Sequence, residues 1–119
     1  GGCDYEDGGN TISDCVRAAL AFEKAGIDIL DISGSFSGFN HPFSTKPGYF
    51  SDMTLAVKQK AALPVILTGG ITTPREAEAL LAQGVADLIG VGRALLRDDG
   101  WASKACKTLW SGEKRDLTA

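Results

Sequence analysis

The pattern of apolar and polar residues predicts that the chain opens with an amphipathic helix. Ile12, Val16 and Leu20 are spaced as one face of a helix. Thr11 precedes them and can accept hydrogen bonds from the free N–H groups of the first turn. Gly26 follows them, and glycine readily adopts the left-handed conformation that ends many helices. We therefore expect a first helix from about Thr11 to Gly26.

Three short runs of mainly aliphatic residues predict strands, because they are too short for typical helices. They cover residues 27–32, 64–68 and 86–91. The second run is continuously apolar, so both faces of that strand should be buried, as in parallel sheets. A long loop over residues 35–48, rich in Ser, Gly, Phe and Pro, follows the first strand, and such loops are often functional.

Further helices are predicted after each strand. One covers residues 51–60, and another opens at residues 73–76, Thr-Pro-Arg-Glu, which form a capping box with proline at the first helical position. Gly84 ends that helix. A last helical region is interrupted near residues 98–100, and a polar tail over residues 111–119 is expected to fray.

An internal repeat indicates an α/β fold with three parallel strands. Residues 25–30 (AGIDIL) and 83–89 (QGVADLI) each combine a helix stop, a short turn and a strand. Repeated strand–helix units imply parallel strands joined by helical crossovers. Two architectures satisfy this pattern: a doubly wound sheet or a (β/α) barrel.

Composition excludes several classes of function. Apolar residues make up 44% and charged residues 23% of the chain, which is typical of a globular domain. The net charge of −3 leaves no basic excess for binding nucleic acid. No apolar run approaches the roughly 20 residues of a membrane helix, and residues 1–7 lack the features of a signal peptide. The three cysteines lack metal-site spacing and suit a reducing compartment, so we expect a cytoplasmic protein without a metal.

Glycine-rich segments that follow the second and third strands form the candidate site. In parallel α/β architectures, ligands bind beyond the carboxyl ends of the strands. Glycines there let backbone N–H groups approach an anion, and Arg93 adds a permanent charge suited to phosphate oxygens. We therefore predict that Gly69, Gly70, Gly92 and Arg93 bind one phosphate group. The alternative is that these glycines only form tight turns.

Five segments suggest a family. Residues 3–11 read CDYEDGGNT, and residues 25–33, 63–71, 86–96 and 98–101 follow them in order. In this order and spacing they resemble the Old Yellow Enzyme family of NADH:flavin oxidoreductases, whose loop D-Y-x-x-G-G-x-T matches the first segment. The resemblance covers nearly the whole chain up to about residue 109.

The resemblance implies an eight-stranded (β/α) barrel that holds FMN at its C-terminal mouth, with NAD(P)H as the electron donor and an activated alkene such as an enone as the acceptor. Residues 1–110 would supply the C-terminal part of this barrel. The contacts of the family with the FMN phosphate carry over to Gly70, Gly92 and Arg93, with Gly69 as a neighbour. The substrate-orienting and proton-donating residues of the family lie in the earlier half of the barrel, so no catalytic residue is assigned here.

The barrel is expected to be incomplete. A full barrel has about 250 residues, and three strands cannot close one, so inward aliphatic residues would form an exposed patch. We expect a fragment of a longer chain, or a chain that self-associates through its open sheet. The alternatives are another phosphate-binding barrel, acting on a sugar phosphate or through a different FMN reaction, and a non-catalytic half-barrel.

Other residues with reactive or aromatic side chains are expected to be structural. We interpret Tyr5 as a packing or rim residue, and Tyr49 and Phe50 as packing residues that could alternatively flank the flavin. His41, the only histidine, is expected to be a solvated loop residue, with a substrate contact as the alternative.

Asp28 and Asp87 occupy matching positions at strand starts, the end of a barrel that is associated with stability. Trp101 and Trp110 are expected to pack the final helix, and Cys15 is expected to lie in or near the core.

Overall fold

Helices and strands alternate along the chain, as predicted. A computed structural model describes residues 1–34 and 39–116, with side chains described up to Ser111. The elements in chain order are α1 (Ile12–Lys24), β1 (Leu30–Ile32), α2 (Ser51–Lys58), β2 (Val65–Leu67), α3 (Pro74–Ala82), β3 (Leu88–Ile89), α4 (Arg93–Arg97) and α5 (Trp101–Asp116). The predicted loop 35–48 is described only from Phe39 onward, and its first four residues lie outside the described residues.

The strands are shorter than the apolar runs that predicted them. Ile27 and Ile29 precede β1 and are 46% and 41% exposed, because β2 extends no further in that direction to pair with them. Single backbone bonds continue the ladder beyond the strands, from Asp87 N–H to the Val65 carbonyl and from Gly90 N–H to the Leu67 carbonyl.

The three strands form one parallel sheet in the order β1-β2-β3. Leu30 pairs with Val65, and Ile32 pairs with Leu67. Leu67 also pairs with Ile89 on the other side. The predicted fold class, three parallel strands alternating with helices, is therefore confirmed.

The two faces of the sheet differ in burial. Ile32, Val65 and Leu67 point to the helices, where they belong to one core cluster with residues of α1, α2 and α3. Asp31, Ile66 and Leu88 form a row across the opposite face, because successive side chains of a strand point to opposite sides. Asp31 is exposed and Leu88 is 47% exposed.

Helices therefore cover one face of the described sheet and leave the other open. This is the arrangement of a barrel wall, whereas a doubly wound sheet has helices on both faces. The sheet is a partial (β/α)-barrel fold. Of the aliphatic side chains in this row, Ile66 is partly buried and Leu88 is exposed.

The helix ends follow the predicted local chemistry. Thr11 accepts a hydrogen bond from the Asp14 N–H while the Asp14 carboxylate accepts one from the Thr11 N–H, and Thr73 and Glu76 form the same reciprocal pair at α3. The Thr11 N–H, followed by the Arg17 guanidinium, lowers the pKa of Asp14 to about 2. After α1 and α3 the chain turns at Gly26 (φ +92°) and Gly84 (φ +72°), as predicted. No helix within residues 1–34 and 39–116 is long and apolar enough to cross a membrane.

The C-terminal helix differs from its prediction. Helix α5 continues to Asp116, so the expected frayed tail at residues 111–119 is helical through most of its length, and residues 117–119 lie outside the described residues. Trp101 packs as predicted, with its Nε1–H donating to the Thr72 carbonyl at 2.7 Å. The prediction for Trp110 is wrong, because this side chain is 61% exposed.

Candidate functional site at the carboxyl edge of the sheet

The carboxyl ends of the three strands open onto a cavity of about 650 Å³. All four predicted site residues, Gly69, Gly70, Gly92 and Arg93, line it. Gly69 and Gly70 follow β2, whereas Gly92 and Arg93 follow β3, and parallel pairing of these strands brings the two segments to the same edge. The structure therefore brings the predicted residues together.

The glycine pair after β2 adopts backbone conformations that side chains rarely tolerate. Gly69 has φ +115° and Gly70 has φ +68°. The Gly69 carbonyl also accepts a hydrogen bond from the Gly48 N–H at 2.8 Å, which joins this segment to the loop that follows β1. The requirement for glycine here is conformational.

The ring of Tyr49 packs against this glycine pair. A Cβ atom on Gly69 would lie 2.6 Å from the ring, and one on Gly70 would lie 2.7 Å from it. Both distances are far below van der Waals contact, so the ring occupies the space that side chains would need. Tyr49 is 9% exposed. Its ring packs edge to face against the Phe50 ring, with 4.8 Å between the centroids. The expectation that these two aromatic residues pack is confirmed.

The side chain of Arg93 is bound to the loop after β1. One Nη atom donates to the Tyr49 hydroxyl at 3.1 Å, and the other donates to Asn40 Oδ1 at 3.4 Å. The Tyr49 hydroxyl in turn donates to the Phe39 carbonyl at 2.9 Å. The loop after β1 and the segment after β3 thus meet at one guanidinium group.

Gly92 leaves the backbone accessible at the start of α4. A Cβ atom on Gly92 would meet nothing within 4 Å, so the space above the backbone is open. Gly92 is the N-cap of α4, and its carbonyl accepts from the N–H groups of Leu95 and Leu96. The N–H groups that come before Leu95 at a helix start have no intrahelical partner. A short extra helix after the last strand is a frequent part of phosphate sites in (β/α) barrels.

The charged lining favours an anion. Among the described lining residues, Arg93 and Arg97 are positive at neutral pH and Asp31 is negative. The balance is therefore positive, although the chain as a whole carries a charge of −3. An anion at this edge gains from the local charge and from the backbone N–H groups.

The loop that joins Gly70 to α3 is fixed by Glu76. The Glu76 carboxylate accepts from the N–H groups of Thr72 and Thr73 at 2.9 and 3.0 Å. These two bonds lower the pKa of Glu76 below its usual value. The Thr72 carbonyl accepts a hydrogen bond from Trp101 Nε1–H. Side chains therefore hold both the N–H and the carbonyl of Thr72.

His41 is not the solvated residue that we expected. Its side chain is only 10% exposed, and its ring lies 4.3 Å from the Tyr5 ring, centroid to centroid. Nδ1 accepts from the Phe43 N–H at 3.0 Å, and Nε2 lies 3.5 Å from Asp52 Oδ2. The imidazole is buried because the aromatic rings of its own loop and of Tyr5 enclose it.

Tyr5 has the packing role that we expected. Its hydroxyl donates to the Asp52 carboxylate, at 3.0 Å from each oxygen. Burial, followed by the bond to Asp52, raises the pKa of Tyr5 far above its usual value. The phenol therefore stays neutral and ties residues 3–10 to the start of α2.

The two aspartates at strand starts differ in their contacts. Asp87 bridges two elements, since it accepts from Lys58 Nζ at 2.8 Å and from the Val65 N–H at 2.9 Å. The bond to Lys58 is the largest cause that lowers the pKa of Asp87. Asp28 is exposed. The expected structural role is therefore visible at Asp87.

Sequence reasoning missed the contact between Tyr49 and Arg93. The two residues are 44 positions apart, and no local pattern links them. The signal that existed was indirect: Tyr49 ends the loop after β1, and Arg93 begins the helix after β3. Only the fold shows that these two loops meet.

The donor groups at this edge have the chemistry of a candidate anion site. Within the part of the chain that the structure describes, no group of three histidine, cysteine or carboxylate side chains is placed to hold a metal. The open backbone at Gly92 and the arginine beside it instead suit phosphate oxygens. Fold and site together define part of a (β/α) barrel with a candidate anion site.

Comparison with known proteins identifies the family. Residues 6–111 match the NADH:flavin oxidoreductase / NADH oxidase family, and the chain belongs to this family. It is 34% identical to the bilirubin reductase of Mediterraneibacter gnavus over 92% of its own length, 32% identical to the NADH oxidase of Thermoanaerobacter brockii over 86%, and 36% identical to the NADPH dehydrogenase of Halalkalibacterium halodurans over 89%.

The chain matches only part of each relative. It covers 18% of the bilirubin reductase, 16% of the NADH oxidase and 31% of the NADPH dehydrogenase. The resemblance to the NADH:flavin oxidoreductase family is therefore confirmed, and the chain spans less than a third of the length of these relatives.

Proposed function

We propose that this chain supplies the FMN-phosphate site of an FMN-dependent NAD(P)H oxidoreductase. The observation that carries the proposal is that Gly69, Gly70, Gly92 and Arg93 line one cavity at the carboxyl ends of neighbouring parallel strands. Membership of the NADH:flavin oxidoreductase family makes FMN the expected phosphate-bearing ligand.

Each residue has a distinct part in this proposal. Gly92 and the first turn of α4 offer backbone N–H groups to phosphate oxygens. Arg93 neutralises the phosphate charge, and its guanidinium has more N–H donors than its bonds to Tyr49 and Asn40 use. Gly69 and Gly70 have no side chains, so the Tyr49 ring can pack against the end of β2 beside the site.

FMN, when bound, supplies hydride transfer between NAD(P)H and an activated alkene such as an enone. The residues described here bind and orient its phosphate end. No catalytic residue is proposed within this chain, and the isolated chain is expected to be inactive. The remaining strands of the barrel would carry the groups that contact substrate.

The open face of the sheet supports a further part of the proposal. The row of Asp31, Ile66 and Leu88 would be covered either by the other barrel strands or by a second copy of the chain. Light scattering of the purified chain separates these cases, since a stable monomer contradicts self-association.

The test of the phosphate site is a titration of the chain with FMN and, separately, with riboflavin, which lacks the phosphate. We expect Arg93→Ala to weaken FMN binding by about 1.5–3 kcal/mol, the scale of a charge-assisted hydrogen bond, and to leave riboflavin binding unchanged. Arg75→Ala is the matched control, because Arg75 is exposed on α3 and does not line the cavity.

Two results would overturn the proposal. The first is an absence of saturable FMN binding by the wild-type chain. The second is equal FMN affinity in Arg93→Ala and Arg75→Ala. A wild-type chain that prefers a sugar phosphate over FMN would instead favour another phosphate-binding barrel enzyme.

A further inference from the structure

The Tyr49 side chain makes contacts in the site through both its ring and its hydroxyl. Its ring covers Gly69 and Gly70, and its hydroxyl bonds to both Arg93 and the Phe39 carbonyl. The side chain is buried, so these contacts are made by a fixed group and not by a surface residue that samples many positions.

The direction of the two hydroxyl bonds defines what Tyr49 does to Arg93. The hydroxyl proton is directed to the Phe39 carbonyl, so a lone pair of the same oxygen faces the guanidinium. Arg93 itself is exposed and has a long side chain with many rotamers. A buried acceptor at 3.1 Å on one Nη atom, together with Asn40 Oδ1 at 3.4 Å on the other, restricts that freedom.

We infer that Tyr49 is a positioning residue for phosphate: it holds the Arg93 guanidinium in a binding orientation before the ligand arrives. This inference rests on the proposed phosphate site. Tyr49 would increase the affinity for phosphate by preorganisation, because the side-chain entropy of Arg93 is lost on folding and not on binding. Asn40 contributes a second, longer bond to the same group.

The position of the ring makes the contact possible. The rings of Tyr49 and Phe50 pack edge to face, and Phe50 is 1% exposed, so the phenol is anchored in the core. Because Gly69 and Gly70 have no side chains, the ring can lie against the end of β2 and bring its hydroxyl within reach of Arg93. One aromatic residue thus links the segments after all three strands.

The test uses Tyr49→Phe, which keeps the ring and removes only the hydroxyl. Tyr5→Phe is the matched control, because Tyr5 is the other tyrosine of the chain and does not line the cavity. This substitution also removes a hydroxyl, the one that donates to Asp52. Both variants are titrated with FMN and riboflavin, and the ratio of the two dissociation constants reports the contribution of the phosphate.

We expect Tyr49→Phe to weaken FMN binding roughly three- to tenfold, the range for loss of one orienting hydrogen bond, without weakening riboflavin binding. Tyr5→Phe should leave the ratio at the wild-type value. In an Arg93→Ala background, Tyr49→Phe should have no further effect on FMN affinity, because the group that it positions is gone.

A ligand-free measurement separates positioning from a merely structural role. The side-chain 1H–15N signal of Arg93, assigned by its loss in Arg93→Ala, should shift or broaden in Tyr49→Phe and stay in place in Tyr5→Phe. An unchanged signal together with an unchanged FMN-to-riboflavin ratio overturns the inference. So does a Tyr49→Phe variant that binds FMN more tightly, because the hydroxyl would then compete with phosphate for Arg93.

The outcomes also distinguish this inference from the proposed function. If Arg93→Ala weakens FMN binding and Tyr49→Phe does not, the phosphate site stands and the positioning role fails. If Arg93→Ala has no effect on FMN binding, the phosphate site fails, and the role of Tyr49 in phosphate binding fails with it.

Discussion

Replacement of Gly70 by alanine tests the packing of the glycine pair against Tyr49. Gly70 has φ +68°, and an added Cβ would lie 2.7 Å from the Tyr49 ring. Two separate costs are therefore expected. The first is the left-handed backbone conformation, and the second is the steric conflict with a buried ring.

Each cost can be assigned a magnitude. The left-handed conformation costs an L-residue about 1–2 kcal/mol, and the reduced freedom of the unfolded chain returns about 0.4–1 kcal/mol of this. Overpacking of a buried contact costs typically about 1–3 kcal/mol. The free energy of unfolding should therefore fall by about 2–4 kcal/mol in Gly70→Ala.

Gly84→Ala supplies the control that isolates the steric cost. Gly84 has φ +72°, almost the same as Gly70, but an added Cβ would meet nothing within 4 Å. This variant should lose only about 1 kcal/mol, the net conformational cost. Urea unfolding of both variants, followed by circular dichroism, gives the comparison. A loss in Gly70→Ala that matches Gly84→Ala within about 0.5 kcal/mol would refute the steric reasoning.

Three further predictions follow from local contacts. Thr73→Ala should lower the free energy of unfolding by about 1 kcal/mol, because it removes the cap of α3, and thermal unfolding checks this; an unchanged melting temperature contradicts it. Asp87→Asn should cost about 0.2–1 kcal/mol at pH 7, since the pair with Lys58 is partly exposed. The pKa of Asp87 is lowered in the folded state, so this stabilisation is present above the unfolded pKa of about 4 and is lost as the pH falls further; a difference from wild type that is equal at pH 7 and pH 2.5 would argue against it. Cys106 is exposed and should react at once with a thiol reagent, whereas the two buried cysteines should react only on unfolding, and burial also raises the pKa of Cys15; more than one fast-reacting thiol per chain would contradict this assignment.

Features set by neighbours in the sequence were predictable. The reciprocal bonds of Thr11 with Asp14 and of Thr73 with Glu76 join residues three positions apart. Their geometry follows from the start of a helix alone. The turn at Gly26 is of the same kind, because a positive φ at a helix end selects glycine.

Features set by distant residues were not predictable from pattern. The strand ends depend on which partner is available, so Ile29 is apolar and yet lies outside β1. The burial of His41 depends on the Tyr5 ring, which packs against the imidazole although the two residues are far apart in the sequence. Trp110 differs in the other direction. Its large apolar side chain predicts burial, but the side chain is exposed in the structure.

The candidate site shows both kinds of feature. Gly69, Gly70, Gly92 and Arg93 were predictable as one set because parallel strands end at a common edge. The contact of Arg93 with Tyr49 was not, because it depends on how the loop after β1 folds over the sheet.

The order of the strands has a consequence for how this segment is made in the cell. Every pairing in the described sheet joins strands that are consecutive along the chain. A ribosome releases β1 before β2 and β2 before β3, so each new strand emerges when the edge that it joins already exists. No strand has to insert between two others or wait for a later one, and assembly of the sheet can proceed in the direction of translation.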